Sequence, residues 1–248
     1  MIVTRAAALG LLYNQLLFTP PVPTKDFGGQ TVIVTGSNNG LGLEAARHFI
    51  RLNAEKVILA VRSPEKGEAA KMSIEVSAKR HGVVEVWRLD MSSYASVKEF
   101  AKKAETLKWI DVLLLNAGVS LSTYRVLEDN EATITINVVS TIVLALLLVP
   151  KLRETASTYT TTPHISIVTS VLHYLTALKE RNSKNIIKAL DENHDLAERY
   201  MIRFSKFPLS NSISYNLNYT PSQISRLQTP PMLLPSLYRP PSQRPYET

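Results

Sequence analysis

Residues 35–42 read TGSNNGLG, and the predicted fold is built around this stretch. It follows an apolar run, residues 31–35 (TVIVT), and opens a segment, residues 43–50, with the composition of a helix. Glycines permit a tight turn and let the backbone approach a ligand without a Cβ in the way. A helix N-terminus offers unpaired N–H groups and a partial positive charge, which suit a phosphate. The stretch therefore predicts a dinucleotide-binding strand–turn–helix unit; a tight connection that holds no ligand is the alternative.

Strand and helix patterns alternate along the chain after this unit. Apolar runs at residues 57–61, 83–89, 112–115 and 165–168 predict further strands. Helical patterns separate them, at residues 65–79, from Ser92 or Ser93 to residue 106, and at residues 128–152. This alternation predicts an α/β fold with a Rossmann-type, doubly wound parallel sheet. We expect its C-terminal strands to be missing, because no strand or helix pattern follows Lys206.

The composition divides the chain into three predicted regions. Residues 1–28 hold an apolar segment and a Pro-rich linker, residues 29–206 form the nucleotide-binding domain, and residues 207–248 form a Pro- and Ser-rich tail that we expect to be disordered. Residues 6–18 are too short to span a bilayer. We expect them to form a helix on the domain or on a membrane surface, with a cleaved signal peptide as the alternative.

The charge and the residue usage exclude several kinds of site. The net charge of +7 comes from scattered residues, with no arginine-rich block, so it gives no support for nucleic-acid binding. The absence of cysteine excludes disulfides and thiolate metal sites, and the five histidines have no ligand-like spacing. We therefore predict no metal site. The strongly apolar residues 138–149 are shorter than a membrane span, and we expect them to pack against the sheet or against a second subunit.

Candidate functional side chains follow the predicted strands. The second strand runs into Arg62, with no acidic residue before Glu65, which favours a cofactor with a 2′-phosphate; a solvated arginine is the alternative. Asp90 ends the third strand, where it can accept a hydrogen bond from an adenine amino group or cap the next helix. Asn137 lies within the long apolar helix, where a buried amide needs partners. Ser170 ends the fifth strand and can donate to a substrate oxygen or serve the structure alone.

Together these residues resemble the short-chain dehydrogenase/reductase family. The sequence from residues 25–27 (KDF) onward and the region of Arg62 look most similar to its fungal and retinol-dehydrogenase-like branch, which uses NADP. The resemblance covers residues 29–200 and rests on residues 35–42, Asp90, residues 116–118 (NAG), Asn137 and Ser170, in the family's order. It implies an NADP-dependent oxidoreductase that interconverts an alcohol and a carbonyl by hydride transfer, with NAD as the less favoured cofactor. The cofactor-binding residues that it implies are Gly36, Ser37, Asn38, Gly40, Leu41, Gly42, Arg62, Asp90, Met91, Asn116, Ala117 and Gly118.

The resemblance also implies a catalytic set. A serine, Ser170, would orient the substrate carbonyl, a tyrosine would exchange the proton, and Asn137 would anchor a water. In the family a lysine four residues after the tyrosine lowers its pKa, because a nearby ammonium favours the phenolate. Here the candidates are Tyr200 and Lys206, six residues apart, which a helix would turn to different sides. The only pair at the family spacing, Tyr94 and Lys98, follows the third strand, and we interpret it as a chance match on a solvated helix face.

The sequence after residue 200 departs from this pattern. Eight of the fourteen prolines follow Lys206, and the last glycine is Gly118. We hypothesise that the chain from about Met201 is not the family's sequence but the product of a splice variant, a frameshift or a retained intron. A divergent tail that binds a partner through polyproline II segments is the alternative.

Two other functions stay open. One is a catalytically impaired dinucleotide-binding protein, and the other is a nucleotide-sugar epimerase or dehydratase relative. Residues 116–118 and the short length argue against the second.

The expected partners are a small-molecule alcohol or carbonyl substrate and no nucleic acid. A peripheral membrane contact through the N-terminal segment and a homodimer through residues 138–149 are further expectations. The predicted location is the cytoplasm, with membrane association as the alternative.

Overall fold

A computed structural model describes residues 22–121, 123–169 and 179–192. Its strands are β1 (Thr31–Thr35), β2 (Lys56–Val61), β3 (Val84–Arg88), β4 (Val112–Leu115), β5 (Val126–Leu127), β6 (Asn130–Glu131) and β7 (His164–Ile167). Five of them form one parallel sheet in the order β3-β2-β1-β4-β7, and β5 and β6 form a separate antiparallel hairpin.

Helices connect successive strands of the sheet, and one short helix follows the last described strand. They are α1 (Gly40–Arg51), α2 (Pro64–Ala78), α3 (Tyr94–Glu105), the long helix α4 (Ala132–Tyr159) and the short α5 (Ile186–Glu192). Helix α4 contains one π-helical turn, Thr135–Val139, near its start. A 3₁₀ turn, Lys179–Asn182, precedes α5.

Both faces of the sheet are covered, because successive side chains of a strand point to opposite faces. From β1, Val32 and Val34 pack with residues of α1 and α2, whereas Ile33 packs with residues of α3 and α4. All three are fully buried. The predicted doubly wound parallel sheet is therefore confirmed.

The predicted strands agree with the observed ones to within one or two residues, but the start of α4 differs. Residues 128–131, predicted as helix, form the turn of the hairpin and strand β6. The helix begins at Ala132 because the buried carboxylate of Glu131 caps it, accepting hydrogen bonds from Thr133 N at 2.9 Å and Ile134 N at 3.1 Å. At its other end α4 runs on to Tyr159, beyond the predicted end at residue 152.

Helix α4 is a core helix. It is long and apolar enough to cross a membrane by composition alone, but 61% of its most apolar stretch is buried within the fold. Leu144, Leu148 and Leu152 are fully buried in the core between α4 and the sheet. Packing against the sheet, one of the two expectations for residues 138–149, is confirmed. Leu146 is 65% exposed on the opposite side.

The packing of the first described residues can be compared with the predicted domain boundary at residue 29. Phe27 packs edge-on against Phe49 of α1, with ring centroids 4.9 Å apart, so packing on the domain begins before residue 29. The predicted helix at residues 6–18 and the tail at residues 207–248 lie outside the described residues. The expectation of missing C-terminal strands also falls there.

Candidate functional site

A cavity of about 380 Å³ lies at the carboxyl ends of β1, β2, β3 and β4. The strand order reverses at β1, whose neighbours are β2 on one side and β4 on the other. Ligands of open α/β sheets bind in the crevice at such a switch point. The cavity therefore lies where the sequence places the ligand.

The structure brings all but two of the predicted cofactor residues to this cavity. Those that line it are Gly36, Asn38, Gly40, Leu41, Arg62, Asp90, Met91, Asn116, Ala117 and Gly118. The exceptions, Ser37 and Gly42, support the turn from behind. Ser37 is fully buried, and its Oγ donates to Val34 O at 2.8 Å, so its hydroxyl is not a ligand contact.

The glycines of the turn make room for the neighbouring backbone. Gly36 has a positive φ of 65°, and a Cβ there would lie 2.8 Å from Ala117 Cα. A Cβ on Gly42 would lie 2.5 Å from both Asn116 Nδ2 and Gly36 O. These contacts explain why Gly42 is needed although it does not line the cavity.

The end of β4 is hydrogen-bonded to this turn. Asn116 Nδ2 donates to Thr35 O at 3.1 Å and to Gly36 O at 3.2 Å, and Ala117 N donates to Thr35 Oγ1 at 2.9 Å. The side-chain amide of Asn116 thus holds the glycine turn in place. Asn116 thereby shapes the cavity wall that it also lines.

The N-terminus of α1 suits an anion. Its N-cap, Asn39, makes no side-chain capping hydrogen bond, and the first turn holds no acidic residue. The first intrahelical bond runs from Leu43 N to Asn39 O, at 3.2 Å, so the N–H groups before it are left for an outside acceptor. Leu41 beside them is 76% exposed. This cradle of amides fits a pyrophosphate.

Arg62 and Asp90 lie at the ends of β2 and β3. Arg62 is exposed, lines the cavity and has no ion-pair partner among the described residues. Asp90 Oδ1 accepts from Ser92 N at 2.9 Å and from Ser92 Oγ at 2.6 Å, and Asp90 N donates to Ser96 Oγ at 3.0 Å. Asp90 therefore both lines the cavity and orders the turn into α3, whose N-cap is Ser93.

Asn137 lies in the π-helical turn of α4 and is 4% exposed. Its side chain does not line the cavity but bonds to Val119, which does. The amide is thus satisfied, as a buried amide must be. The predicted water at Asn137 stays a prediction.

The other three predicted catalytic residues, Ser170, Tyr200 and Lys206, lie outside the described residues. Tyr94 and Lys98 lie on α3, and neither lines the cavity. The hydroxyl of Tyr94 accepts from Asn130 Nδ2 at 3.3 Å, and Lys98 is exposed. This placement agrees with the interpretation of that pair as a chance match.

Six lining residues were not among the predicted ones: Asn39, Ala60, Leu89, Ser92, Val119 and Ile136. Four of them, Asn39, Leu89, Ser92 and Val119, are next in sequence to a predicted cofactor residue, and Ala60 is two positions from Arg62. Proximity in sequence was the signal that could have found these five. Ile136 is next to Asn137, a predicted catalytic residue, and lies with it in the π-helical turn of α4.

A sequence model of a known family, described as short chain dehydrogenase, matches residues 30–171, which is more than half of the chain. The chain belongs to the short-chain dehydrogenase/reductase family. It is thus an oxidoreductase family member with a Rossmann-type nucleotide-binding fold, and the sequence-based resemblance is confirmed.

Fungal short-chain dehydrogenases are among its curated relatives. The chain is 48% identical over 177 residues to short chain dehydrogenase/reductase dmxR8 of Cryptosporiopsis sp., which covers 71% of this chain and 55% of that protein. It is 43% identical over 218 residues to short-chain dehydrogenase anuD of Penicillium roqueforti, which covers 87% of this chain and 57% of that protein. The chain thus spans little more than half the length of these two relatives.

Two solved structures share the fold. The oxidoreductase yciK from E. coli matches with a TM-score of 0.52 and 20% identity, over 76% of this chain and 69% of that one. The RhlG/NADP active-site complex from Pseudomonas aeruginosa matches with a TM-score of 0.51 and 24% identity, over 61% of this chain and 58% of that one. At these identities the likeness concerns the fold.

Proposed function

We propose that this short-chain dehydrogenase is NADP-dependent and interconverts an alcohol and a carbonyl by hydride transfer. The observation that carries the proposal is the position of Arg62. It is an exposed guanidinium at the end of β2, on the cavity wall, without an ion-pair partner among the described residues. A dinucleotide without a 2′-phosphate usually meets a carboxylate at this point, and an arginine suits the phosphate instead.

The rest of the described cavity supports the same assignment. The uncapped first turn of α1 offers N–H groups to the pyrophosphate, and no acidic side chain in that turn repels it. Asp90 lines the cavity at the end of β3, where its carboxylate can accept a hydrogen bond from the adenine amino group. RhlG of Pseudomonas aeruginosa, which shares this fold, was solved as a complex with NADP, and this agrees with a nicotinamide dinucleotide as the cofactor.

In this proposal the chain's own residues divide the work. Arg62 binds the 2′-phosphate, and the turn at residues 36–42 holds the pyrophosphate. Asn137 keeps Val119 in the cavity wall through its two hydrogen bonds. Ser170 orients the substrate oxygen, and Tyr200 exchanges a proton with it; Lys206 is the candidate for lowering the tyrosine pKa. The bound cofactor supplies or accepts the hydride.

The testing experiment has two stages. NADPH is first titrated while thermal unfolding is monitored, and we expect the midpoint to rise with NADPH concentration, because a ligand that binds only the folded state stabilises it. A panel of small carbonyl compounds is then tested for NADPH oxidation. We expect turnover that the Tyr200→Phe variant loses while it still binds NADPH.

Two results would contradict the proposal. NADPH binding without oxidation by any carbonyl compound would favour the catalytically impaired dinucleotide-binding protein. A folded chain that ignores NADPH would exclude both functions.

A further inference from the structure

The turn of the β5–β6 hairpin has an unusual residue at its first position. Leu127 pairs with Asn130, so the connection consists of Glu128 and Asp129. Glu128 has a φ of 53°, in the left-handed region that hairpin turns usually fill with Gly or Asn. A strained backbone persists where the surroundings hold it, and here the side chain of Glu128 makes a distant contact.

That contact is with the start of helix α3. Glu128 Oε1 accepts a hydrogen bond from Tyr94 N at 2.7 Å, although the two residues are 34 positions apart. Tyr94 is the first residue of α3, where a carboxylate is favoured by the unpaired N–H groups and by the helix dipole. Asn130 Nδ2 adds a second bond from the hairpin, to the Tyr94 hydroxyl at 3.3 Å.

The start of α3 continues directly into the cavity wall. Asp90, Met91 and Ser92 all line the cavity, and the next residue is the N-cap of α3. Ser96, in the first turns of the helix, accepts from Asp90 N at 3.0 Å. The position of the first turn of α3 therefore sets the position of this wall.

The opposite side of the hairpin is bonded to the π-helical turn of α4. Thr135 Oγ1 donates to Leu127 O at 2.9 Å and to Asn130 O at 3.3 Å. The next residue, Ile136, lines the cavity, and Asn137 holds Val119 on it. The hairpin thus connects two cavity walls that are far apart in sequence.

We propose that Glu128 is a positioning residue of the cofactor site. Its carboxylate holds the hairpin against α3 and so keeps the wall that contains Asp90 at a fixed distance from the wall that contains Val119 and Ile136. This inference rests on the proposed function, because the cofactor is the ligand that the two walls would grip. Glu128 itself is expected to touch neither the cofactor nor the substrate.

The test compares Glu128→Ala, Glu128→Gly and Glu128→Gln with the native chain, by NADPH dissociation constant and by thermal midpoint. We expect Ala and Gly to raise the dissociation constant about fivefold, the change that results if the roughly 1 kcal/mol of a capping contact serves to hold the cofactor site in place. The Gln variant keeps an oxygen for Tyr94 N and should lie between them and the native chain. The Gly variant should unfold at a higher temperature than the Ala variant, because glycine adopts the positive φ without strain.

The matched control is Asp129→Asn, which removes a negative charge from the same turn. Asp129 is exposed and makes no described hydrogen bond, so this variant should bind NADPH as the native chain does. Where turnover is measured, the Glu128 variants should raise KM for NADPH and leave kcat within about twofold.

The outcomes separate this inference from the proposed function. Native binding of NADPH together with unchanged affinity in all three Glu128 variants would overturn the positioning role alone, even if the thermal midpoint fell. A native chain that binds no NADPH would overturn the proposed function and the positioning role with it.

Discussion

The side chain of Asn137 holds both backbone polar groups of Val119. Nδ2 donates to Val119 O at 2.9 Å, and Oδ1 accepts from Val119 N at 2.8 Å. Asn137 is buried in the π-helical turn of α4, and Val119 follows the NAG segment at the end of β4. This pair joins the long helix to the cavity wall, although the residues are 18 positions apart.

Replacing Asn137 by Ala should destabilise the fold by about 2–4 kcal/mol, because two partly buried backbone groups would lose their partner. The free energy of unfolding in urea measures the effect. Asn39→Ala is the control, since the exposed Asn39 makes no side-chain capping bond, and it should change stability by less than about 0.5 kcal/mol. Equal effects of the two variants would contradict this role of Asn137.

Gly36 and Gly40 both have positive φ, but only Gly36 is crowded. A Cβ on Gly36 would lie 2.8 Å from Ala117 Cα, whereas a Cβ on Gly40 would meet nothing within 4 Å. Gly40→Ala should therefore cost only the conformational strain, about 1 kcal/mol. Gly36→Ala should cost about 3 kcal/mol or more, because β1 and β4 must also move apart. Similar free energies of unfolding for the two variants would contradict this prediction, because they would show that the turn makes room for a Cβ at Gly36 without cost.

The sheet could be predicted from the sequence because its strands are buried on both faces. Such strands are continuous apolar runs, like residues 57–61 and 112–115, so the sequence indicates both their position and their length. Most of the site followed from the sheet, since the carboxyl ends of parallel strands converge at one edge. Arg62, Asp90 and residues 116–118 were located in this way.

The parts that could not be predicted depend on single contacts. Strands β5 and β6 have two residues each, too short for any pattern, and their turn is Glu128-Asp129 instead of the Asn-Gly typical of hairpins. Ser37 lies in the glycine stretch, but only the structure shows that its hydroxyl turns back to Val34 O. The placement of Ile136 depends on a π-helical turn that the sequence does not indicate.

The carboxyl group of Asp111 should make stability depend on pH. Burial raises its pKa, while the hydrogen bond from Thr31 N and the charge of Lys25 lower it and the charge of Glu55 raises it further. The folded state then binds the proton more readily than the unfolded state, so this group favours folding more as the pH falls through the raised pKa. Relative to Asp111→Asn, the native chain should gain stability as the pH falls through the raised pKa toward the ordinary value of 3.8.

Glu85 provides the opposite control. Its hydrogen bond with Lys56, at 2.7 Å, lowers its pKa, and that stabilisation is lost as the pH falls through the lowered value. Relative to Glu85→Gln, the native chain should therefore lose stability as the pH falls below the ordinary glutamate value of 4.5 and through the lowered pKa. Urea unfolding at several pH values measures both differences, and slopes of the same sign would contradict the assignment.

The central claim is that the cavity at the switch point of the sheet holds NADP, with Arg62 on its 2′-phosphate. Calorimetric titration of NADPH and NADH into the native chain and into Arg62→Ala tests it most directly. We predict that the native chain binds NADPH more tightly than NADH, and that Arg62→Ala weakens NADPH binding about tenfold or more and leaves NADH binding unchanged. Equal affinities for the two cofactors, before and after the substitution, would contradict the account.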